Sequence, residues 1–437
     1  MNIILLSGGG GKRLWPLSND IRSKQFIKIF RDDTGYYQSM VQRVYKQICT
    51  IDPDAFVMIA TSKQQVSSIR NQLNDKVEIC VEPCRRDTFP AIALAAAYLH
   101  DVKNMGEHEV VVVCPVDPYV EIEYFEAIRQ LVEIVKTSKG LTLMGVEPTY
   151  PSEKYGYIIP ENNKKISKVC MFKEKPDRKT AERYLRRGAL WNAGVFAFHL
   201  GYVLEKAREL IDYTDYADLY YRYETLNKIS FDYAVAEQED DIQVVRFQGQ
   251  WKDLGTWNTL TEAMEEHKIG KAILDDTCQN VHIINEMEVP VLCMGMKNTV
   301  ISASQEGILV SDKDRSGYIK NFVEQIDQQI MFAEKSWGDF KVLDIEKNSM
   351  TIKISVNAGH RMDYHSHDYR DEVWNVISGI GKAVVDGMTQ PLKPGDVITI
   401  ESGCRHTIMA ESDMKLIELQ IGDNIDVADK RKYDLDE

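Results

Sequence analysis

The 437-residue chain has no CxxC pair, no long uncharged apolar run and no surplus of positive charge. Its eight cysteines (Cys49, Cys80, Cys84, Cys114, Cys170, Cys278, Cys293, Cys404) are scattered, which argues against a zinc ribbon or a disulfide framework and reads as reduced thiols. The apolar run Ile3 to Leu6 is too short for a signal core or a bilayer span, so the expected address is cytoplasmic, with no membrane partner. With 67 acidic against 53 basic residues the formal net charge is −14. General nucleic-acid binding draws its affinity from surplus Lys and Arg, so no nucleic-acid partner is expected.

What is present is ordinary soluble composition, 44% hydrophobic and 27% charged, in a chain longer than one core usually fills. Two or three domains are expected. To about residue 260, short apolar runs (Ile3 to Leu6, Phe56 to Ala60, Val77 to Val81, Val110 to Cys114) alternate with helical patterns (Gln38 to Gln47, Thr88 to Leu99), the habit of an α/β sheet. Directly after the first run comes SGGGGKRLWPLSNDIRSKQF. Gly8, Gly9, Gly10 and Gly11 carry no Cβ, so their N–H groups can close around phosphate, and Lys12, Arg13 and Lys24 add positive charge. A P-loop needs Gly where Leu6 stands and Ser or Thr where Arg13 stands; a dinucleotide fingerprint needs Gly at Arg13. Neither fits.

The loop, with Arg13-Leu14-Trp15-Pro16 and Lys24-Gln25-Phe26, instead resembles the signature of sugar-1-phosphate nucleotidylyltransferases, and among them the mannose-1-phosphate guanylyltransferases. Further segments follow that family in order: EPCRRDTFPAIALAA from Glu82, PVDPYVE around Asp117, GVEPTYPSEKYGYI, FKEKPD, WNAGVFAF, SFDYAVAE and WKDLGTW. The resemblance implies a Rossmann-like, glycosyltransferase-A-like α/β domain. It assigns Gly8 to Gly11, Lys12, Glu82, Arg86 and Asp87 to the nucleotide, and Arg13 and Lys24 to catalysis. Gly156, Glu174, Lys175, Asn192 and Asp232 go to the sugar phosphate, and Asp117 and Asp253 to Mg²⁺. Asp87 stands where the family has Asn, and Pro118 where it has His.

From about 265 to 330, short alternating apolar segments read as a small β-rich element ending in a helical pattern, IKNFVEQIDQQI. In the last hundred residues, His365, His367, Glu372 and His406 sit among Gly turns at the spacing of a cupin, a jelly-roll barrel that aims two His, a Glu and a third His at one metal. SWGDF, YRDEVWNVISGIGKAVV and LIELQIG resemble the type II mannose-6-phosphate isomerase cupin, which implies a divalent transition metal such as Zn²⁺. His365 replaces a common Gln ligand, and Val373 a His.

The expected domains are 1–264, 265–333 and 334–437. The resemblance implies GTP and mannose 1-phosphate as partners, GDP-mannose and pyrophosphate as products, and a homo-oligomer, a dimer. Another nucleoside triphosphate or sugar 1-phosphate, with a cupin that binds metal without isomerase activity, stays open, as does a nucleotide-sugar sensor without turnover.

Overall fold

The computed structural model describes residues 1–437 except 10, 11, 20, 139, 327, 328, 424, 426–428, 436 and 437. The chain forms two compact units, one of Met1–Gly10, Lys24–Val66 and Asp75–Glu265, the other of Gly11–Ser23, Ser67–Asn74 and Glu266–Glu437.

The first unit is built on a nine-stranded sheet. From one edge the strands run Glu78–Glu82, Phe56–Ser62, Asn2–Ser7, Val110–Pro115, Leu190–His199, Leu141–Val146, Ile242–Phe247, Ile166–Lys173 and Tyr157–Pro160. The first four are mutually parallel, and Leu190–His199 runs antiparallel to both its neighbours. Val111, Val112 and Val113 are fully buried, as expected for a strand covered on both faces. The helix Met40–Ile51 starts at a capping box in which Ser39 and Gln42 satisfy each other's backbone N–H. The helix Thr88–Ala97 is apolar all round because it lies inside an extensive core cluster.

In the second unit, a four-stranded sheet (Lys268–Ile269, His282–Asn285, Thr299–Ser304, Gly307–Asp312) accompanies the parallel pair Ala272–Leu274 and Val291–Cys293. Of the helical pattern expected over 319–330, the described residues form a helix over Lys320–Val323. Ile319 and Val323 pack against Trp15, and the N–H groups of Met331 and Phe332 then donate to Glu306 Oε1, drawing the chain into the strand Phe332–Lys335.

Two antiparallel sheets complete this unit. The six-stranded one runs Phe332–Lys335, Gly338–Glu346, Ser349–Val356, Met414–Ile421, Asp371–Ser378, Val397–Ile400; the five-stranded one runs Met388–Leu392, Gly381–Val385, His406–Ala410, His365–Ser366, Arg431–Lys432. Between them lies a core that includes Trp337, Ile354, Trp374, Ala383, Ile408 and Leu416. The architecture is an α/β domain, a small β-rich element and a C-terminal cupin. Among the described residues no helix is long and apolar enough to cross a membrane.

Candidate active site

Gly8 and Gly9 follow the first strand at its carboxyl end, where parallel sheets gather ligands. A Cβ on either would meet nothing within 4 Å, and Gly9 has φ +114°, which favours glycine. Gly10 and Gly11 lie outside the described residues. Lys12 and Arg13 form a short turn in the second unit, where Arg13 is exposed.

A buried network ties the strand end to the turn Lys24–Phe26: Gln25 Nε2 donates to Ser7 Oγ (2.9 Å), and Ser7 Oγ and Thr61 Oγ1 both donate to Gln65 Oε1 (2.9 Å each). The neighbouring Lys24 Nζ lies 2.7 Å from Asp117 Oδ2 and 3.3 Å from Asp253 Oδ1. These aspartates converge because Pro118–Val120 and Trp251–Asp253 pair as an antiparallel ribbon, with Asp253 opposite Pro118. Burial alone would favour the neutral amine of Lys24, but the charges of Asp117 and then Asp253 outweigh it and raise its pKa. A Cβ on Gly255 would stand 3.2 Å from both Asp253 carboxylate oxygens, so this glycine gives that carboxylate its room. Two carboxylate oxygens directed at one cationic centre suit a hard ion such as Mg²⁺, which completes its shell with water and phosphate.

In the second segment, Glu82 ends its strand buried and accepts from Tyr223 Oη at 2.7 Å. Burial raises its pKa, while the Tyr223 bond and Arg85 oppose the rise. Arg86 donates to the carbonyl of Glu224. Asp87 caps the helix Thr88–Ala97 from φ +71°, accepting from the Thr88 N–H at 2.8 Å. The same stretch is zipped to 229–231, with Phe89 N–H donating to Ile229 O (3.2 Å) and Phe231 N–H to Thr88 Oγ1 (2.8 Å).

The third group converges closely. Asn192 N–H donates to Gly156 O (2.8 Å), and Asn192 Nδ2 donates to Asp232 Oδ1 (2.6 Å). Lys175 Nζ lies 2.6 Å from Glu174 Oε1, and a Cβ on Gly156 would fall 2.5 Å from Glu174 Oε2. Lys175 holds φ +43°, an uncommon conformation for a side-chain-bearing residue and one that clusters at functional sites. Burial and then the charge of Glu174 push the Asp232 carboxyl up to about 7. Gly156, Glu174, Lys175, Asn192 and Asp232 thus form one polar cluster, with Asn192 in Leu190–His199 and Glu174 directly after Ile166–Lys173, two strands that both pair with Tyr157–Pro160.

In the cupin, His365 and His406 face each other across paired strands, His367 follows directly, and Glu372 enters from the opposite sheet. The three histidines are buried, and one ring nitrogen from each falls within 4.8 Å of the others. Their Nδ1 atoms contact the carbonyls of Asp363 (2.7 Å), Asp429 and Cys404 (2.9 Å), which makes Nε2 the candidate ligand atom of each ring, although that of His367 also accepts from Arg370. Glu372 approaches His367 Nε2 at 3.1 Å and His406 Nε2 at 3.3 Å. Burial, helped by Lys430, holds His365 down to about 2, hence neutral. Imidazole and carboxylate donors of this kind fit a divalent transition ion.

Sequence reasoning did not single out Arg370, Glu418 or Gln420. Arg370 Nη2 lies 3.0 Å from His367 Nε2, Trp374 Nε1 donates to both Glu372 Oε2 (3.2 Å) and Glu418 Oε2 (3.1 Å), and Gln420 Nε2 donates to Glu418 Oε1 (2.6 Å). The available signal was two polar residues at core-facing alternate positions of LIELQIG. A cavity of about 140 Å³ opens beside this group, lined on its polar side by His365, His367, Arg370, Glu418, Gln420 and Lys430.

Residues 2–268 match the family described as nucleotidyl transferase, and residues 324–434 the family described as mannose-6-phosphate isomerase C-terminal. Mannose-1-phosphate guanylyltransferase 2 of Escherichia coli O157:H7 is 28% identical over 96% of this chain and 95% of its own length. The xanthan biosynthesis protein XanB of Xanthomonas campestris pv. campestris (strain B100) is 28% identical over the same shares. The crystal structure of a mannose-1-phosphate geranyltransferase from Thermus thermophilus superposes with a TM-score of 0.61 at 27% identity, covering 74% of this chain and 98% of that one. With well over half its length matched, and with the glycine turn, the aspartate pair and the polar cluster at the strand ends, the chain belongs to the nucleotidyl transferase family.

Proposed function

We propose that the chain joins GTP and mannose 1-phosphate into GDP-mannose. A phosphate oxygen of the sugar phosphate forms a bond to the α-phosphorus, the bond to the oxygen bridging the α and β phosphates breaks, and its electron pair leaves with pyrophosphate. The observation that carries this reading is the convergence of Asp117, Asp253 and Lys24 on one point, tied through Gln25 to the strand end from which the glycine turn leaves.

In this reading Asp117 and Asp253 would hold Mg²⁺, which supplies charge to neutralise the triphosphate. Glu174, Asn192 and Asp232 accept from and donate to sugar hydroxyls, with Gly156 keeping the pocket open. Lys175 fixes the attacking phosphate. Lys24 offsets the charge that develops on pyrophosphate, and Gly8 and Gly9 carry the triphosphate. Glu82, Arg86 and Asp87 border the base.

A panel of four nucleoside triphosphates against several sugar 1-phosphates, with Mg²⁺ and a pyrophosphate readout, tests it. GTP with mannose 1-phosphate should exceed every other pair at least tenfold. A different winning pair would keep the reaction and replace the substrates, and nucleotide-sugar binding without pyrophosphate release would make the protein a sensor.

A second reading concerns the cupin, and the mixed cationic and metal-ligating lining of its cavity favours it. We propose that His365, His367, Glu372 and His406 hold a divalent transition metal and that the cavity isomerises mannose 6-phosphate, with Arg370 and Lys430 facing the phosphate. Metal analysis of the purified protein with an isomerase assay tests this, and metal without isomerisation would leave a binding barrel alone.

A further inference from the structure

We propose that Cys278 and Cys293 form a reversible dithiol–disulfide site in the β-rich element. Their sulfurs lie 3.9 Å apart, and Cys278 Sγ also donates to Cys293 O at 3.5 Å. A disulfide needs the sulfurs at about 2.05 Å, so closure requires a shift of roughly 1.9 Å, within reach of side-chain rotation and a small movement of the turn. The backbone holds the two residues face to face. Asp275 N–H donates to Cys293 O (3.1 Å), Cys278 N–H donates to Asp275 O (3.2 Å), and Gly295 N–H donates to Asp275 Oδ1 (3.2 Å). The turn carrying Cys278 is thereby bonded on both sides of the strand end that carries Cys293. Both side chains rest on one small apolar cluster with Val281, Ile283 and Ile301.

The two thiols are unequal. Cys278 is partly exposed, whereas Cys293 is buried, and burial followed by its contact with Cys278 pushes its pKa up to about 11. Cys278 is therefore the sulfur that an oxidant reaches first. With hydrogen peroxide, the Cys278 thiolate forms a bond to one peroxide oxygen, the O–O bond breaks and hydroxide leaves, giving a sulfenic acid. The Cys293 sulfur then attacks that sulfur, the S–O bond breaks, and the departing hydroxide takes up the thiol proton. Two thiols and one peroxide give one disulfide and two waters. A thiol reductant returns the pair to its starting state. Such cross-links in reducing compartments are transient and redox-sensing more often than structural.

The full-length protein, treated with a small excess of hydrogen peroxide, alkylated and digested without reductant, is mapped by mass spectrometry. A peptide pair joining Cys278 to Cys293 should appear, vanish on treatment with dithiothreitol, and be absent from Cys278→Ser, whose substitution lies on the turn rather than in the core. Recovery of both cysteines as separately alkylated or sulfinic peptides would overturn the proposal. So would oxidation of Cys293 in Cys278→Ser at the wild-type rate, since it would remove Cys278 as the entry point.

Discussion

At the scale of single residues, the cluster around Glu174 depends on an atom that is missing. Gly156 leaves the space that the Glu174 carboxylate fills, and a methyl there would fall 2.5 Å from Glu174 Oε2 and 3.3 Å from Asn192 Cβ. The carboxylate must move, because the backbone of Gly156 is itself held by the Asn192 N–H. Gly156→Ala should therefore raise KM for the sugar phosphate about tenfold or more and leave KM for the triphosphate within about twofold, a loss of roughly 1.4 kcal/mol or more at one substrate only. Equal loss for both substrates in steady-state kinetics would detach Glu174 from the sugar.

Asp232 in the same cluster sets a pH dependence. Its ordinary carboxyl pKa of 3.8 is raised to about 7 in the folded protein, first by burial and then by Glu174. Between those values the native state keeps a proton that the unfolded chain has released, so stability falls as pH rises through this window and levels off above it. Asp232→Asn, which cannot titrate, should flatten that part of the stability profile. Urea denaturation of the ligand-free protein from pH 4 to 8 measures the slope, and identical slopes in the two proteins would refute the assignment.

At the scale of elements, the helix Thr88–Ala97 shows what sequence can and cannot disclose. The stretch Thr88 to Leu99 reads as a helix from its sequence pattern, and Asp87 caps it. The left-handed backbone of Asp87 was not legible, because nothing local demands φ +71°; the pairing of 86–89 with 229–231, about 140 residues away, imposes it. Asn matches Asp in shape, also caps and meets the same backbone strain at φ +71°, ψ −176°, so Asp87→Asn should leave stability within about 0.5 kcal/mol. Asp87→Ala removes the cap and strains the backbone, and should cost about 1–2 kcal/mol in urea midpoints. A neutral alanine would mean that the cap carries no weight. Long-range bonding likewise fixes the chain that follows the short helix at 320, where the Glu306 carboxylate accepts from the amides of Met331 and Phe332.

At the scale of the whole molecule, the α/β domain and the cupin were readable because their motifs occur in order along the chain. The partners that complete each site were less so. Lys24 and Asp253 are 229 residues apart in sequence, and their meeting depends on a three-residue ribbon that no periodicity marks. In the cupin the histidines gave themselves away by clustering, whereas Glu418 and Gln420 look like ordinary polar residues of an edge strand until the strand Met414–Ile421 is placed inside the six-stranded sheet.

Burial makes the cupin the part of the molecule whose stability should answer to metal. His365, His367, Glu372 and His406 are each at most 3% exposed, and a ligand set so enclosed forms only in the folded barrel. An ion that binds the native state alone stabilises it by about 2.7 kcal/mol when free metal is a hundredfold above Kd. For the second unit, of about 190 residues, that corresponds to roughly 5–10 °C in Tm. Protein stripped with a chelator and dialysed should show a calorimetric transition that rises by this order on adding Zn²⁺ or Mn²⁺, with no comparable rise for Mg²⁺, which avoids imidazole ligands. The rise should be lost in His406→Ala. A transition indifferent to all three ions would mean that the three histidines and Glu372 are a closed polar network, satisfied by Arg370 and the backbone carbonyls alone.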